Sequence, residues 1–265
     1  MESATAETRV IVDVPRAPHR RSSPRWLNVV FDLNGILCAC EEFRFRDSKL
    51  RFRNDKAPHS STVPAHVGPK LVWVRPGCNA FLDALSMFAT ISIWSSMKLS
   101  TTCTITQYLF KKAILPKVIH GQEHCKRIAT SVTNGVPKFL KVKGTEKDVF
   151  LKTLSTGLFS QYRGSFTMEN TIIVDDSAYK HVLNNPENVL LADSWSPNGD
   201  SANDTFLLGV LLPWLQRLHT SADLGLRSFR LQNPLGRPSL CQDPHCGEYL
   251  ELTHAIEMSR GLVYE

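Results

Sequence analysis

Apolar residues in this chain fall into short runs separated by polar and basic stretches. Leu27-Asn28-Val29-Val30-Phe31, Leu71-Val72-Trp73-Val74, Ala89-Thr90-Ile91-Ser92-Ile93-Trp94 and Thr171-Ile172-Ile173-Val174 are brief and rich in β-branched or aromatic side chains. Apolar runs of that length and composition predict buried strands. Between them Phe81, Leu82, Leu85 and Phe88 recur at the helical period, in a helix opened by Arg75-Pro76-Gly77. Further helices are predicted from Ser95-Ser96 to about residue 112, from 146 to about 158, and over 204–218. Residues 40–70, broken by Pro58, Pro64 and Pro69, read as a loop, and 115–145 as an irregular basic insert. Strands alternating with helices predict an α/β fold with a mostly parallel sheet and helices on both faces.

The domain plan follows from the same pattern. Residues 1–25 lack a sustained apolar period and read as a disordered arm, basic at Arg16, Arg20, Arg21 and Arg25. Its acids Glu2, Glu7 and Asp13 argue against a mitochondrial presequence. A folded domain is expected over 26–236 and a C-terminal extension over 237–265. With 265 residues, 42% of them hydrophobic, the chain can bury its own core, and wholly disordered, collagen-like and coiled-coil readings are excluded. No apolar run approaches the roughly 18–20 residues of a membrane span. The segment 207–215 is the best attempt, and Gly209 and Pro213 break it.

Charge changes the picture more than composition does. The net charge is +6, but residues 98–152 hold eleven basic against three acidic residues, and 169–204 hold seven acidic against one basic. Such a split predicts a dipolar surface and an anionic partner for the basic part; a protein partner through the charged insert and a merely solvated lysine face are both open. No basic motif interleaved with aromatics supports nucleic-acid binding. Seven cysteines, an odd number, read as reduced thiols of a soluble intracellular protein in the nucleus or cytoplasm rather than the mitochondrion. Cys241, His245 and Cys246 lack a second ligand pair for zinc, and His124-Cys125 reads as loop chemistry.

Three predicted strands end in polar or acidic groups: Asp32, Ser95 and Asp175-Asp176. Ligands of open parallel sheets bind outside the carboxyl ends of the strands, where such groups converge. Carboxylates meeting there need a cation between them, which points to an oxygen-ligated Mg²⁺, and Lys152 on a neighbouring helix would balance a phosphate. Taken singly, each residue has an ordinary explanation: Asp32 a turn, Ser95 or Asp175-Asp176 a helix cap, Lys152 a solvated lysine.

As a set, Phe31-Asp32-Leu33-Asn34-Gly35, Trp94-Ser95-Ser96, Lys152 and Ile173-Val174-Asp175-Asp176-Ser177 resemble the four motifs of the haloacid-dehalogenase superfamily. Val74-Arg75-Pro76-Gly77, Asp193-Ser194-Trp195 and Leu211-Leu212-Pro213-Trp214-Leu215 narrow the resemblance to its FCP/SCP-type C-terminal-domain phosphatase homology domain. The Asp-Leu-Asn-Gly and Trp-Ser-Ser forms, with Tyr179-Lys180 and Asn233-Pro234-Leu235-Gly236, are most similar to a plant subgroup.

The resemblance implies a Rossmann-like haloacid-dehalogenase fold and a Mg²⁺-dependent phosphatase acting on phosphoserine or phosphothreonine in proteins, or on a small phosphate ester. Asp32 would be the nucleophile, Ser95 and Lys152 would hold the phosphoryl group, and Asp32, the Asn34 carbonyl, Asp175 and Asp176 would hold the metal. The chain departs from the family's Asp-x-Asp-x-Thr at Asn34 and Ile36. Asn34 cannot exchange a proton near neutral pH, so the usual general acid is missing. A slow phosphatase, an enzyme whose leaving group needs no acid, and an inactive interaction module all remain open. The last would be a pseudophosphatase scaffold or a presequence-binding component like the Tim-fifty translocase subunit.

Overall fold

The computed structural model describes residues 26–46, 49–52, 63–110, 114–197, 203–240 and 247–260. The arm expected over 1–25 and the Cys241, His245 and Cys246 cluster lie outside the described residues. The described strands are β1 (Leu27–Phe31), β2 (Cys38–Arg46), β3 (Lys49–Phe52), β4 (Ala65–Val67), β5 (Lys70–Val74), β6 (Ala89–Trp94) and β7 (Ile119–His120). After these come β8 (Lys126–Arg127), β9 (Ala129–Thr133), β10 (Val136–Phe139), β11 (Phe150–Leu151), β12 (Thr171–Asp175) and β13 (Val189–Leu191). The α-helices are α1 (Cys78–Ser86), α2 (Leu99–Leu109), α3 (Leu212–Thr220), α4 (Gly225–Gln232) and α5 (Gly247–Arg260).

The predicted α/β fold is present: a five-stranded, all-parallel sheet ordered β13-β12-β1-β6-β7. Central strand β1 is buried along its whole length, which is why it reads as a nearly unbroken apolar run rather than an alternation. Leu27, Val29 and Phe31 pack on one face with side chains of α1, α2, α3 and α4. Val30 and Ile173 face the other side, against Trp94, Leu154, Leu158 and Phe166. Asn28 shares that second face and stays buried because its Nδ2 donates to Ser165 O at 2.8 Å. A π-helical turn, Ser155–Phe159, covers the same face. A Cβ on Gly157 would collide with the Trp94 ring, so glycine is what lets this turn approach the sheet.

Three predicted segments differ from the structure. The described parts of 40–70 are not all loop: β3-β2-β5-β4 form an antiparallel sheet, with Phe43 opposite Phe52, while Pro58 lies outside the described residues. The alternation Phe43-Arg44-Phe45-Arg46 is a strand period, masked by its basic content. Pro64 precedes β4 and Pro69 lies in the turn after it, so neither interrupts a strand. The insert 115–145 is also more ordered than expected. β9 and β10 form a hairpin closed by Asn134-Gly135, both at positive φ (52° and 75°), the dipeptide favoured in a two-residue turn. Finally, no helix spans 146–158. Residues 150–151 form β11, paired with β8, and Lys152-Thr153 lie in no regular element before the π-helical turn. Tertiary pairing overrides the local helical pattern here.

The last helix is not detached. Leu252 and Ile256 of α5 are buried with Ile128, Val149, Leu151 and Val182 in a small separate cluster. No helix among the described residues is long and apolar enough to cross a membrane.

Candidate active site

β1 is followed directly by Asp32, whose Oδ1 accepts from Leu33 N at 2.8 Å. The chain then turns sharply, with the N–H groups of Leu37 and Cys38 both donating to Leu33 O at 3.0 Å. Gly35 sits at φ 87° inside this turn, and a Cβ there would collide with Asp176 Oδ2 and Ser194 Oγ. Only glycine satisfies both the backbone angle and the space. The turn is tied from outside by Trp195 N donating to Gly35 O at 2.8 Å. Arg75, 4% exposed, donates to Ile36 O at 3.2 Å and makes a two-pronged pair with Asp204, both contacts at 2.9 Å. A planar guanidinium suits this work because it satisfies a carboxylate and a carbonyl at once.

β12 runs parallel to β1 and brings Asp175 and Asp176 to the same sheet edge. Asp32, Asp175 and Asp176 each offer a carboxylate oxygen, and these oxygens lie within 4.8 Å of one another. Two lysines neutralise most of this charge. Lys152 Nζ lies 3.3 Å from Asp32 Oδ2 and makes a short contact with Asp175 Oδ2. Lys180 Nζ lies 2.7 Å from Asp32 Oδ2, 3.0 Å from Asp175 Oδ1 and 3.7 Å from Asp176 Oδ1. The lysines are also joined through the backbone, Lys152 N donating to Lys180 O at 2.8 Å. His181 Nε2 is 3.2 Å from Asp175 Oδ2.

Burial opposes ionisation of Asp175, but the ammonium groups of Lys152 and Lys180 outweigh it and hold its carboxyl well below the usual range. Burial likewise opposes the charge on Lys180, and Asp175, Asp32 and Asp176 together push its ammonium well above the ordinary value. Asp176 is shifted upward, first by burial and then by Asp175 and Asp32 beside it, with Lys180 and a Ser194 hydrogen bond in partial opposition. Burial also lowers His181. With His181 neutral, three carboxylates face two ammonium groups, leaving one negative charge uncompensated.

The remaining candidates sit around this cluster. Ser95 follows β6 at the same edge of the sheet, buried, with its Oγ accepting from Met97 N at 3.3 Å. Lys98, not Ser95, holds the cap position of α2. Asn34 is exposed, and its Oδ1 accepts from Cys40 N at 2.7 Å, fastening the turn to the start of β2. Lys152 reaches the cluster from the irregular segment just after β11 rather than from a helix.

Sequence reasoning had no role for Lys180, although it meets all three carboxylates. The signal available was its position four residues after Asp176, one helical turn on. Arg75 was read as opening a helix, and its clamp on the Asp32 turn depends on Asp204, far away in sequence. Arg237 also reaches this edge, donating to Asp176 O at 2.6 Å and Ala192 O at 3.0 Å.

A parallel sheet with an acid pair after β12, a lone acid after β1 and a lysine between them defines a haloacid-dehalogenase-like protein. The family described as NLI interacting factor-like phosphatase matches residues 27–225, and the chain belongs to it. No curated protein sequence matches the chain significantly. Similar solved structures include the fission yeast RNA polymerase II CTD phosphatase Fcp1 bound to beryllium fluoride, at 12% identity and TM-score 0.41. A structure described as Fcp1, an essential RNA polymerase II CTD phosphatase, is similar at 12% identity and TM-score 0.40. In both cases the match covers 87% of this chain and 61% of the other, so the chain spans less than two thirds of these proteins.

Proposed function

We propose that this chain is a phosphohydrolase that cleaves phosphate monoesters through an aspartyl-phosphate on Asp32. The observation that carries the reading is the buried Asp32 carboxylate facing Lys152 at 3.3 Å and the Asp175-Asp176 pair at the carboxyl edge of the sheet. Asp32 attacks phosphorus, the P–O bond to the leaving group breaks, and the leaving oxygen departs with the bonding electrons. Ser95 and Lys152 orient and neutralise the transferring group. Water then attacks the acyl phosphate and returns the Asp32 carboxylate and inorganic phosphate.

An all-oxygen donor set of three close carboxylates fits Mg²⁺. Asp32, Asp176 and the Asn34 carbonyl would hold the ion, with Asp175 bound to the lysines beside them. A bound Mg²⁺ would supply Lewis-acid stabilisation of the phosphoryl charge. Phosphoserine or phosphothreonine in a protein is the substrate class favoured by the family. Asn34 has no proton to give, so leaving groups that need none should react best.

The hydrogen bond that fastens the Asn34 side chain to β2 favours a second reading, an inactive pseudophosphatase that keeps the fold for protein binding. Turnover of an aryl phosphate by the purified chain with Mg²⁺, beside Asp32→Asn, separates the two. Phenolate release by wild type and none by the variant supports the hydrolase. Equal background release from both refutes the hydrolase and leaves the pseudophosphatase reading.

A further inference from the structure

We propose that the Lys180 ammonium is a tethered cation competing with divalent metal for the carboxylate cluster, so that the ion binds only when Lys180 swings out. This inference rests on the hydrolase reading for its purpose, and on the geometry around Lys180 for its content. Asp32, Asp175 and Asp176 are the group suited to an oxygen-ligated ion among the described residues. Lys180 Nζ lies within 3.7 Å of a carboxylate oxygen from each of the three. One charged atom therefore contacts both carboxylates that would hold the ion, Asp32 and Asp176, and Asp175 beside them.

The placement is built in by the local fold. Ser177, in extended backbone, leads into a short 3-10 turn, Ala178–His181, which carries the Lys180 ammonium back to 3.7 Å from Asp176 Oδ1. Its backbone is held on both sides, N donating to Ser177 O at 3.3 Å and O accepting from Lys152 N at 2.8 Å. The side chain is only 6% exposed. Its stem is flexible even though its backbone is not, so the ammonium can leave without unwinding the turn.

Charge makes the two occupants exclusive. With both lysines in place the cluster carries one excess negative charge, too little to draw in a dication against an ammonium on the same oxygens. With Lys180 withdrawn the excess is two, which matches one divalent ion. Lys152 has a different part, because it touches Asp32 and Asp175 but makes no ion pair with Asp176. An incoming phosphate dianion offers Lys180 an alternative partner, so substrate and metal would enter together.

The test is calorimetric titration of the full-length chain with Mg²⁺ and with Mn²⁺, in wild type, Lys180→Met, Lys180→Gln and Lys180→Arg. Circular dichroism checks the fold of each, and the glutamine variant serves if the methionine variant does not fold. The neutral variants should bind either ion with a Kd at least ~10-fold lower than wild type, while Lys180→Arg should show no gain. The wild-type melting temperature should barely move between EDTA and 1 mM Mg²⁺, with a clear rise in the neutral variants. Equal or weaker binding by folded neutral variants overturns the competition, as does a large Mg²⁺ shift in wild type. Aryl phosphate turnover measured in parallel reports on the hydrolase reading separately, because metal affinity is read without catalysis.

Discussion

Replacing Asn34 by aspartate is the perturbation that most directly probes the chemistry. The side chain is exposed at the rim of the cluster, and its Oδ1 already accepts from Cys40 N at 2.7 Å. A carboxylate of nearly the same volume keeps that bond through one oxygen and presents the other where the amide nitrogen now sits. General acid–base assistance is worth about 10²–10⁴-fold, or ~2.7–5.4 kcal/mol of barrier. The structure points to the lower end. The Cys40 N–H favours the ionised form of the new carboxylate. It can therefore activate water for the second step more readily than it can protonate a leaving group. Asn34→Asp should raise steady-state turnover of an aryl phosphate by ~10²-fold. For an alkyl phosphate, which needs the proton, the gain should grow as pH falls below neutrality. On the hydrolase reading, loss of the base at Asn34 should make hydrolysis of the phosphoenzyme rate-limiting in wild type, so rapid mixing should show a burst of about one phenolate per Asp32. Asp32→Asn should abolish burst and turnover in either background. A wild type without a burst, together with an Asn34→Asp variant without a gain, refutes the reasoning and leaves a retired site.

Two further outcomes test the geometry. Gly35→Ala combines a strained positive φ with a collision at Asp176 and Ser194, so it should lower stability by at least ~1–3 kcal/mol in urea titration and weaken Mg²⁺ binding. An unchanged midpoint refutes the packing of this turn. His120, buried against Trp94 and stacked on His124, has its imidazole lowered to about 3, first by burial and then by His124. Its folded value lies below its unfolded one, so the stability it contributes is complete above the ordinary histidine range and is lost as pH falls toward 3. Between pH 6 and pH 4 this one group should add a slope approaching ~1.4 kcal/mol per pH unit, which His120→Phe should remove. Parallel pH profiles for the two proteins contradict the assignment.

What the sequence determined by itself was whatever depends on local pattern. β1, β6 and β12 are short apolar runs because they are buried on both faces, and a run buried on both faces carries its own signature. The acids after β1 and β12 were legible for the same reason, since a polar group that ends a buried strand must lie at the sheet's edge. Even the Asn134-Gly135 hairpin and the Phe43–Arg46 alternation were written locally, and were hidden by a basic composition that resembles loop. What only the tertiary structure decided was pairing across long separations. Residues 150–151 are a strand because β8 lies beside them, and Lys152 is outside any helix, its N–H used by Lys180 O. Arg75 became a clamp on the Asp32 turn through Asp204, 129 residues away. Lys180 looked like one lysine in an acidic stretch. Its ammonium stands among three carboxylates only because parallel pairing of β1 and β12 sets Asp32 beside Asp175 and Asp176. The spacing to Asp176 hinted at one of these contacts, but the one with Asp32, 148 residues away, has no period along the chain and no sequence spacing could have placed it.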